Sequence, residues 1–269
     1  MPPRMDMCYT KHTQEAGAAC FSCEGKAAVA FIVRTEGSYW LNRPLTRKIN
    51  VAIDGPAGAG KSTVARLVAE KLGYIYVDTG AMYRTVTLKA LREGADLNDP
   101  AALERLAERI DIRLLPEAGG QRVLMDGEDV TERIRAPDVT EAVSRVASVP
   151  GVRRVLVKMQ RDMAARRGVV MDGRDIGTNV LPDAEVKVFM TASVRIRAER
   201  RWKEIRDREP AVTIESLMRA IEERDRRDSE RETAPLRRAD DALLLDTSEI
   251  SADEAAERVV RLCLQAVGE

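Results

Sequence analysis

The sequence predicts an α/β fold, in which helices cover both faces of a parallel β-sheet. Short apolar segments recur along the chain, and segments with helical periodicity separate them. The short segments are apolar at successive positions rather than at alternate ones, which is typical of strands that are buried on both faces. Strands of this kind in alternation with helices indicate a parallel sheet between two helical layers.

The first strand and the first helix are predicted around residue 50. Ile49–Ile53 is a short apolar run that is followed at once by Asp54 and a glycine-rich turn. Apolar residues then recur at helical spacing, and Gly73 follows them where a helix C-cap is expected. These apolar positions are Val64, Leu67, Val68 and Leu72.

The remaining strands of the parallel sheet are predicted from four further apolar runs. These runs are residues 74–77, 169–171, 186–190 and 242–245. Ser251 and Glu254 have the spacing of a capping box and predict the start of a last helix. Cys263 falls within that helix, where we expect a buried thiol.

One segment breaks the alternation of strands and helices, between about residues 107 and 140. Short segments at 110–114, 122–125 and 126–130 look like strands, and turn residues such as those at 117–120 lie between them. Short strands that are joined by tight turns indicate hairpins. We therefore expect a small antiparallel sheet that is inserted into the α/β body.

The composition excludes several classes of protein. The 44 basic residues equal the 44 acidic ones, whereas a protein that coats nucleic acid usually carries a basic excess. Aromatic residues make up 4%, which argues against a stacking surface for single strands. No apolar run approaches the length of about 18 residues that a membrane helix needs. We therefore expect a soluble cytoplasmic protein that binds neither nucleic acid polymers nor membranes.

Residues 1–47 differ from the rest of the chain. They contain three of the four cysteines and the single histidine, and they show little periodicity. Cys8, His12, Cys20 and Cys23 carry groups that bind zinc, but their spacing fits none of the common zinc modules. We therefore favour a flexible extension of unknown role, followed by a domain at 48–269.

The glycine-rich turn matches the phosphate-binding loop (P-loop) pattern G-x-x-x-x-G-K-[ST] at residues 55–62, between a predicted strand and a predicted helix. Its backbone N–H groups and the helix N-terminus attract phosphate. Lys61 is expected to contact the β- and γ-phosphates of a nucleotide, and Ser62 to bind Mg²⁺. The loop residues assigned to this nucleotide, which the resemblance described below implies is ATP, are Gly55, Pro56, Ala57, Gly58, Ala59, Gly60, Lys61, Ser62 and Thr63.

Further segments make the chain resemble the bacterial-type cytidylate kinases, a family of nucleoside monophosphate kinases. They are Ile53–Thr63, Asp78–Arg84, Asp172–Thr178, Glu223–Arg231, Ala234–Leu236 and Ala239–Thr247. The resemblance covers about four-fifths of the chain and excludes the first 47 residues. It implies a P-loop NTPase-type core, a nucleotide-binding insert at about 79–160 and a helical lid at about 195–212.

The resemblance also implies a reaction and a set of acceptor-binding residues. The implied reaction transfers the γ-phosphoryl group of ATP to CMP or dCMP with Mg²⁺, and we expect a monomer. Arg84 and Arg174 would hold the acceptor phosphate, and Asp175 would accept from the amine of cytosine. The full CMP-binding set is Thr79, Tyr83, Arg84, Ser144, Arg153, Arg174, Asp175, Arg224, Asp228 and Arg231.

Several of these residues have a simpler interpretation without the resemblance. Tyr83 alone would indicate core packing. Arg224, Asp228 and Arg231 are spaced i, i+4, i+7 on one helical face, which usually means a solvated series of ion pairs. The resemblance instead implies phosphate and ribose contacts, with Arg231 near the transferred group.

Six residues are expected to take part in catalysis. They are Lys61, Asp172, Arg174, Arg200, Arg201 and Arg231. Asp172 is expected to act either on metal-bound water or on the orientation of an arginine. Among the many arginines of the lid, Arg200 and Arg201 are expected to contact ATP, and the others are expected to lie on a solvated helix face.

Two other functions stay open from the sequence. One is a kinase on the same scaffold that acts on UMP, AMP or shikimate. The other is a P-loop protein that switches with the bound nucleotide and has no acceptor. The base-contacting residues Ser144, Arg153 and Asp175 argue against the first, and the arginines that face the P-loop argue against the second.

Overall fold

The computed structural model describes residues 45–117, 120–207 and 209–268. Cys8, His12, Cys20 and Cys23, the residues considered for zinc, lie outside these ranges, as does nearly all of the expected extension. Leu45 is 6% exposed and packs in the core. The packed part of the chain therefore begins before residue 48, which was the expected boundary.

The α/β prediction is confirmed by a five-stranded sheet with the order β2-β6-β1-β7-β8. All of its neighbouring strands pair in parallel. Its strands are β1 (Asn50–Asp54), β2 (Ile75–Asp78), β6 (Val169–Gly173), β7 (Val186–Thr191) and β8 (Leu243–Asp246). Each lies within a residue or two of a predicted apolar run.

The inserted antiparallel sheet is also present, with the order β3-β4-β5. Its strands are β3 (Ile112–Glu117), β4 (Gly120–Met125) and β5 (Glu128–Asp129). The second hairpin turns at Asp126 and Gly127, which both adopt positive φ. The predicted strand at 126–130 is therefore shorter than expected, because its first two residues form the turn.

Eight α-helices occur within the described ranges. They are α1 (Lys61–Leu72), α2 (Thr79–Arg92), α3 (Pro100–Arg109), α4 (Pro137–Ala147), α5 (Pro150–Ala164), α6 (Val194–Ile205), α7 (Ile214–Glu230) and α8 (Ala252–Val267). Helix α1 ends at Gly73 in the left-handed conformation, as predicted. The Ser251 side chain caps α8 by accepting from the N–H of Glu254. None of the helices in these ranges is long and apolar enough to cross a membrane.

Buried apolar side chains lie on both faces of the parallel sheet and in the insert. One cluster joins α1 and α8 to the sheet and includes Ile53, Val68 and Cys263. Burial raises the pKa of the Cys263 thiol to about 12. A separate cluster, which includes Leu106 and Leu156, forms the core of the inserted part. The insert therefore has a hydrophobic core of its own beside the parallel sheet.

The two outer strands of the parallel sheet are less buried than the sequence predicts. Ile75 on β2 and Leu243 and Leu244 on β8 are about half exposed. These strands lie at the two edges of the sheet, where each has a neighbour on one side only. Apolar runs therefore predicted strands correctly but did not distinguish central from edge positions.

Candidate active site

Three acidic residues meet at the carboxyl edge of the parallel sheet, where ligands bind in open α/β folds. Asp54, Asp78 and Asp172 are at or next to the ends of β1, β2 and β6. The strand register pairs Asp54 with Gly173 and Asp78 with Asp172. The P-loop begins directly after β1, so phosphate-binding and acidic groups share this edge.

The conformation of the P-loop depends on its glycines. Gly55 has φ +147, and a Cβ atom there would collide with the backbone oxygen of Met190. Gly60 has φ +85 and immediately precedes α1. Only glycine adopts such φ values without strain. The loop therefore stays close to β7 and directs the N-terminus of α1 toward the site.

Lys61 is buried at the start of α1. Its Nζ atom donates to the carbonyl oxygen of Pro56 at 2.7 Å. Burial, with a further contribution from the positive charge of Arg174, lowers the pKa of the Lys61 ammonium group. A lysine that is held between a loop carbonyl and other positive charges favours an anion in the adjacent space.

Asp172 is held by hydroxyl groups rather than by an arginine. Its Oδ2 atom accepts from the Ser62 hydroxyl and its Oδ1 atom accepts from the Tyr76 hydroxyl, both at 2.9 Å. Burial, and then the charge of Asp78, raise the pKa of the Asp172 carboxyl group. Within the described residues, the carboxylate of Asp172 contacts hydroxyl groups and no arginine side chain.

Asp54 fixes the segment that follows β6. Its two carboxylate oxygens accept from the backbone N–H groups of Ile176 and Gly177, at 2.8 and 2.7 Å. Burial raises the pKa of Asp54 to about 6, although these two hydrogen bonds oppose the shift. Asp54 therefore holds the turn that carries Arg174 and Asp175, a role that the sequence did not reveal.

A pocket opens between the P-loop, α2, α4 and α7. Its basic lining residues are Lys61, Arg84, Arg135, Arg153, Arg174, Arg224 and Arg231, and its acidic ones are Asp78, Asp172, Asp175 and Asp228. The lining also includes Ala57, Gly58, Ser62, Thr79, Tyr83 and Ser144. Seven basic groups against four acidic ones give an excess of three positive charges. The pocket therefore suits a ligand with several negative charges, although the whole chain is neutral.

Arg174 lies at one end of this pocket and is paired with α7. Its Nε atom donates to Asp228 at 2.9 Å, and its Nη1 atom donates to the carbonyl oxygen of Gly173 at 3.3 Å. Burial raises the pKa of Asp228, but the charges of Arg174 and Arg224 outweigh this effect and leave the pKa below its ordinary value. Asp228 is therefore an ionised carboxylate, and the solvated interpretation of this helical face is wrong.

Asp175 also lines the pocket and takes part in a buried ion pair. Its Oδ2 atom accepts from Arg153 and, at 3.0 Å, from Asn179. The Nη2 atom of Arg231 is 3.5 Å from Oδ1. The Nε atom of Arg231, the residue expected near the transferred group, donates to the carbonyl oxygen of Ala234 at 2.6 Å.

Several polar atoms around the pocket are buried without a hydrogen-bond partner among the described residues. They include the Tyr83 hydroxyl and the Nε atoms of Arg153 and Arg224. The Arg153 guanidinium group lies 5.4 Å from the centre of the Tyr83 ring. Burial raises the pKa of Tyr83 to about 12, so its hydroxyl stays protonated. Because buried polar groups are nearly always paired, these atoms indicate a place for polar ligand groups.

The basic groups of the pocket are partly removed from water. Burial lowers the pKa of Arg84 to about 10, and the charge of Arg224 adds to this effect. Burial likewise lowers the pKa of Arg224 to about 10, together with the charge of Arg174. Thr79 lies beneath these groups and donates its hydroxyl to the backbone oxygen of Asp172 at 2.7 Å. Thr79 therefore joins α2 to β6 within the site.

The arginines of α6 differ from the expectation. Arg197, which was expected on a solvated face, is 4% exposed. It donates to the carbonyl oxygen of Ala57 at 3.1 Å and to Asp225 at 2.6 Å. Dense charge along α6 hid this buried position from sequence analysis, because helical periodicity distinguishes apolar from polar faces only.

The two lid arginines that were expected to contact ATP lie in different surroundings. Arg200 is half-buried and donates to the backbone oxygen of Thr247 at 2.5 Å, close to Ala59 of the P-loop. Arg201 is exposed and pairs with Glu204 at 3.0 Å. The structure therefore brings Arg200 to the P-loop and leaves Arg201 outside the pocket lining.

Two further residues near the site were missed. Thr247 follows β8, and its hydroxyl lies 3.2 Å from the carbonyl oxygen of Ala59 and 3.0 Å from that of Thr191. It therefore joins the end of β8 to the P-loop. Arg135 lines the pocket 3.7 Å from Asp78. Thr247 ends one of the segments that carry the resemblance, but no role was assigned to it, and no motif or spacing distinguishes Arg135.

Comparison with known proteins identifies the family. The family model for cytidylate kinase matches residues 51–265. The cytidylate kinase of Bacillus velezensis is 52% identical over 221 residues, which are 82% of this chain and 99% of that protein. The chain belongs to the cytidylate kinase family. The cytidylate kinase of Geobacillus kaustophilus is also 52% identical, over 83% of this chain and all of that protein. The resemblance is therefore confirmed.

Solved structures give a weaker likeness. A shikimate kinase from Acinetobacter baumannii aligns with 82% of this chain and 96% of its own, with a TM-score of 0.43 and 18% identity. A gluconokinase from Sinorhizobium meliloti aligns with 84% of this chain and 93% of its own, with a TM-score of 0.38 and 17% identity. The family assignment rests on the sequence relatives and not on these structures.

Proposed function

We propose that this chain is an ATP-dependent cytidylate kinase, which transfers the γ-phosphoryl group of ATP to CMP or dCMP and releases ADP and CDP or dCDP. The observation that carries the proposal is the pocket of excess positive charge between the P-loop and the arginines of α2 and α7. It offers one wall to a phosphate donor and the opposite wall to a phosphorylated acceptor. Membership of the cytidylate kinase family names both substrates.

The P-loop residues Gly55–Thr63 would bind the phosphates of ATP. In the reaction, an oxygen of the acceptor phosphate bonds to the γ-phosphorus while the bond to the β-phosphate oxygen of ATP breaks. The transition state is loose, so positioning and neutralisation of charge provide most of the catalysis. Lys61 would neutralise charge that builds up on the leaving β-phosphate oxygen. Arg200, which already lies beside the P-loop, would bind the donor, and closure of the lid would be needed to bring in Arg201.

The residues at the P-loop fit Mg²⁺ bound with ATP. Mg²⁺ prefers oxygen ligands and is usually held by one or two carboxylates together with substrate phosphates. Ser62 and Asp172 supply a hydroxyl and a carboxylate within 2.9 Å of each other. When bound, Mg²⁺ would offset the negative charge of the ATP phosphates. Raised pKa values on buried carboxylates, such as Asp172, fit a site that is completed by a cation.

The acceptor phosphate would lie between Arg84, Arg174 and Arg224. These residues come from α2, the segment after β6 and α7, so three separate elements would fix its position. Asp228 would accept from a ribose hydroxyl while it holds Arg174. Arg231, which was also expected to assist catalysis, would instead act at the base end of the pocket. This change is proposed because its guanidinium group lies beside Asp175.

The base would be read by the buried ion pair at the far end of the pocket. Asp175 accepts hydrogen bonds only, which matches the exocyclic amine of cytosine and opposes the carbonyl group of uracil. Arg153 would donate to the cytosine ring, and Ser144 and Tyr83 would supply hydroxyl groups. The unpartnered hydroxyl of Tyr83 and Nε atom of Arg153 support this arrangement. Thr79 would complete the set from the start of α2.

The experiment that tests the proposal is a comparison of acceptors with the purified chain. ADP release from Mg-ATP is measured with CMP, dCMP, UMP, AMP and GMP, and shikimate is included as a non-nucleotide acceptor. We expect CMP and dCMP to give the highest kcat/KM. Higher kcat/KM with another acceptor, or slow ATP hydrolysis that no acceptor stimulates, would contradict it. The expected monomer and cytoplasmic location stay predictions.

A further inference from the structure

The guanidinium group of Arg84 is anchored by the inserted part of the chain and not by its own helix. Arg84 lies on α2, and its Nη1 atom donates to the backbone oxygen of Ile134 at 3.1 Å. The same Nη1 atom donates to the hydroxyl oxygen of Thr140 at 2.8 Å. Both acceptors belong to the short stretch that ends in the first turn of α4. The orientation of the Arg84 guanidinium group is therefore set by contacts at its Nη1 atom with residues 134 and 140.

The hydrogen atoms of Arg84 can be counted against its contacts. A guanidinium group carries five N–H bonds, of which two are on Nη1. The contacts with Ile134 and Thr140 use both of these. For Nε and Nη2, no hydrogen-bond acceptor is found among the described residues, which leaves three N–H bonds for a ligand. The edge formed by Nε and Nη2 is the one that binds a phosphate through two parallel hydrogen bonds.

The hydroxyl group of Thr140 is oriented by a hydrogen bond of its own. It lies 3.4 Å from the backbone oxygen of Arg135, to which it donates its hydrogen. Its lone pairs then stay available to accept from Arg84. The backbone N–H of Thr140 is occupied by the carbonyl oxygen of Ala136 in the first turn of the helix. These contacts restrict the orientation of the Thr140 side chain, so its hydroxyl oxygen stays in position to accept from Arg84.

The charge of the two acceptors matters for a phosphate site. Burial lowers the pKa of Arg84, and the positive charges of Arg224, Arg135 and Arg201 add to this effect, whereas the charge of Asp78 opposes it. A carboxylate in the place of Thr140 would relieve this repulsion, but it would also compete with an incoming phosphate. A neutral hydroxyl and a neutral carbonyl orient the guanidinium group and leave its positive charge for the ligand.

We propose that Thr140 is a positioning residue for the acceptor phosphate: its hydroxyl holds Arg84 so that the Nε and Nη2 edge faces the phosphate group of the nucleoside monophosphate. Thr140 itself does not touch the substrate. The proposal rests on the proposed function, because that function places a phosphorylated acceptor against Arg84.

The test uses two substitutions at residue 140 in the full-length chain. Thr140→Val keeps the shape of the side chain and removes the acceptor, and Thr140→Ser keeps the hydroxyl. We expect Thr140→Val to lower kcat/KM for CMP about tenfold, the size of one lost hydrogen bond to a charged group. We expect KM for ATP to stay within about twofold, and Thr140→Ser to restore most of the activity.

A binding measurement separates positioning from a general loss of structure. Calorimetry compares CMP with cytidine, which lacks the phosphate, for the wild type and for both variants. We expect Thr140→Val to weaken CMP about tenfold and to leave cytidine unchanged. Equal weakening of both ligands, unchanged CMP binding or tighter CMP binding would overturn the proposal. If the wild type does not phosphorylate CMP, the proposed function fails. If the wild type phosphorylates CMP and Thr140→Val has the same kcat/KM and affinity for CMP, this inference fails and the proposed function stands.

Discussion

Replacement of Asp175 by asparagine should affect both the stability of the fold and the choice of base. The Asp175 and Arg153 side chains are each 5% exposed, and they form a buried ion pair. Asparagine keeps an oxygen that accepts a hydrogen bond, but it leaves the Arg153 charge without a buried counter-charge. Breaking such a pair costs about 3–5 kcal/mol, and we expect the lower value because one hydrogen bond is retained.

That free energy corresponds to a measurable shift in thermal unfolding. For a folded region of more than 200 residues, each kcal/mol lowers Tm by about 2–4 °C, so a loss of about 3 kcal/mol predicts a decrease of about 6–12 °C. Calorimetry without ligand measures this shift. The control is Arg153→Met together with Asp175→Asn, which should recover part of the loss, since the buried Arg153 charge is then removed. The Arg231 charge, 3.5 Å from Asp175, loses its carboxylate in both variants.

The same variant tests the assignment of Asp175 to the base. The asparagine amide can turn its NH₂ group toward the carbonyl of uracil, so the ratio of kcat/KM for CMP over UMP should fall by about tenfold or more. KM for ATP should change little, because Asp175 is proposed to contact the acceptor and not ATP. An unchanged Tm would refute the argument from the ion pair, and an unchanged CMP to UMP ratio would refute the role in reading the base.

Three other perturbations have defined outcomes. Lys61→Ala should lower turnover by about 10²–10³ with an unchanged Tm, and nearly normal turnover would show that the loop is not catalytic. Deletion of residues 1–44 should leave kcat/KM for CMP intact, whereas a deletion that also removes Leu45 should lower the unfolding free energy by about 1.5–3 kcal/mol in urea titrations. Loss of activity in the shorter deletion would contradict this expectation. Asp54 has a pKa of about 6 in the folded protein against 3.8 ordinarily, so it stabilises the fold below pH 3.8 and loses this contribution as pH rises through 6. The unfolding free energy of the wild type minus that of Asp54→Asn should therefore be about 1–2 kcal/mol larger at about pH 5 than at about pH 8, and a constant difference would contradict the pKa assignment.

The parts of the fold that sequence analysis predicted are those that depend on local pattern. The strand at Ile49–Ile53 and the P-loop after it are determined by an apolar run, by glycines and by a lysine at fixed spacing. The first hairpin of the insert follows from the turn residues at 117–120, whereas Asp126 and Gly127, which form the second turn, were predicted as part of a strand. Each of these signals lies within about ten residues, so the sequence displays it without knowledge of the tertiary structure.

The parts that sequence analysis missed depend on contacts between distant segments. Arg197 is surrounded by other charged residues in the sequence, and only the packing of α6 against α7 and the P-loop buries it. Asp54 was placed next to the P-loop, but its bonds to Ile176 and Gly177 span more than 120 residues. Thr247 meets Ala59 across 188 residues. No local periodicity carries information of this kind.

The neutral composition of the chain also concealed the main electrostatic property of the site. Seven basic and four acidic side chains line one pocket, while the chain as a whole has no net charge. Burial of unbalanced positive charge is costly, and it lowers the pKa values of Lys61, Arg84 and Arg224. The phosphates of the two proposed substrates would supply the missing negative charge, so their binding would relieve the cost. The excess positive charge of the pocket thus costs free energy when no ligand is bound. The same charge would favour binding of the substrates and stabilise the negative charge of the transition state in phosphoryl transfer.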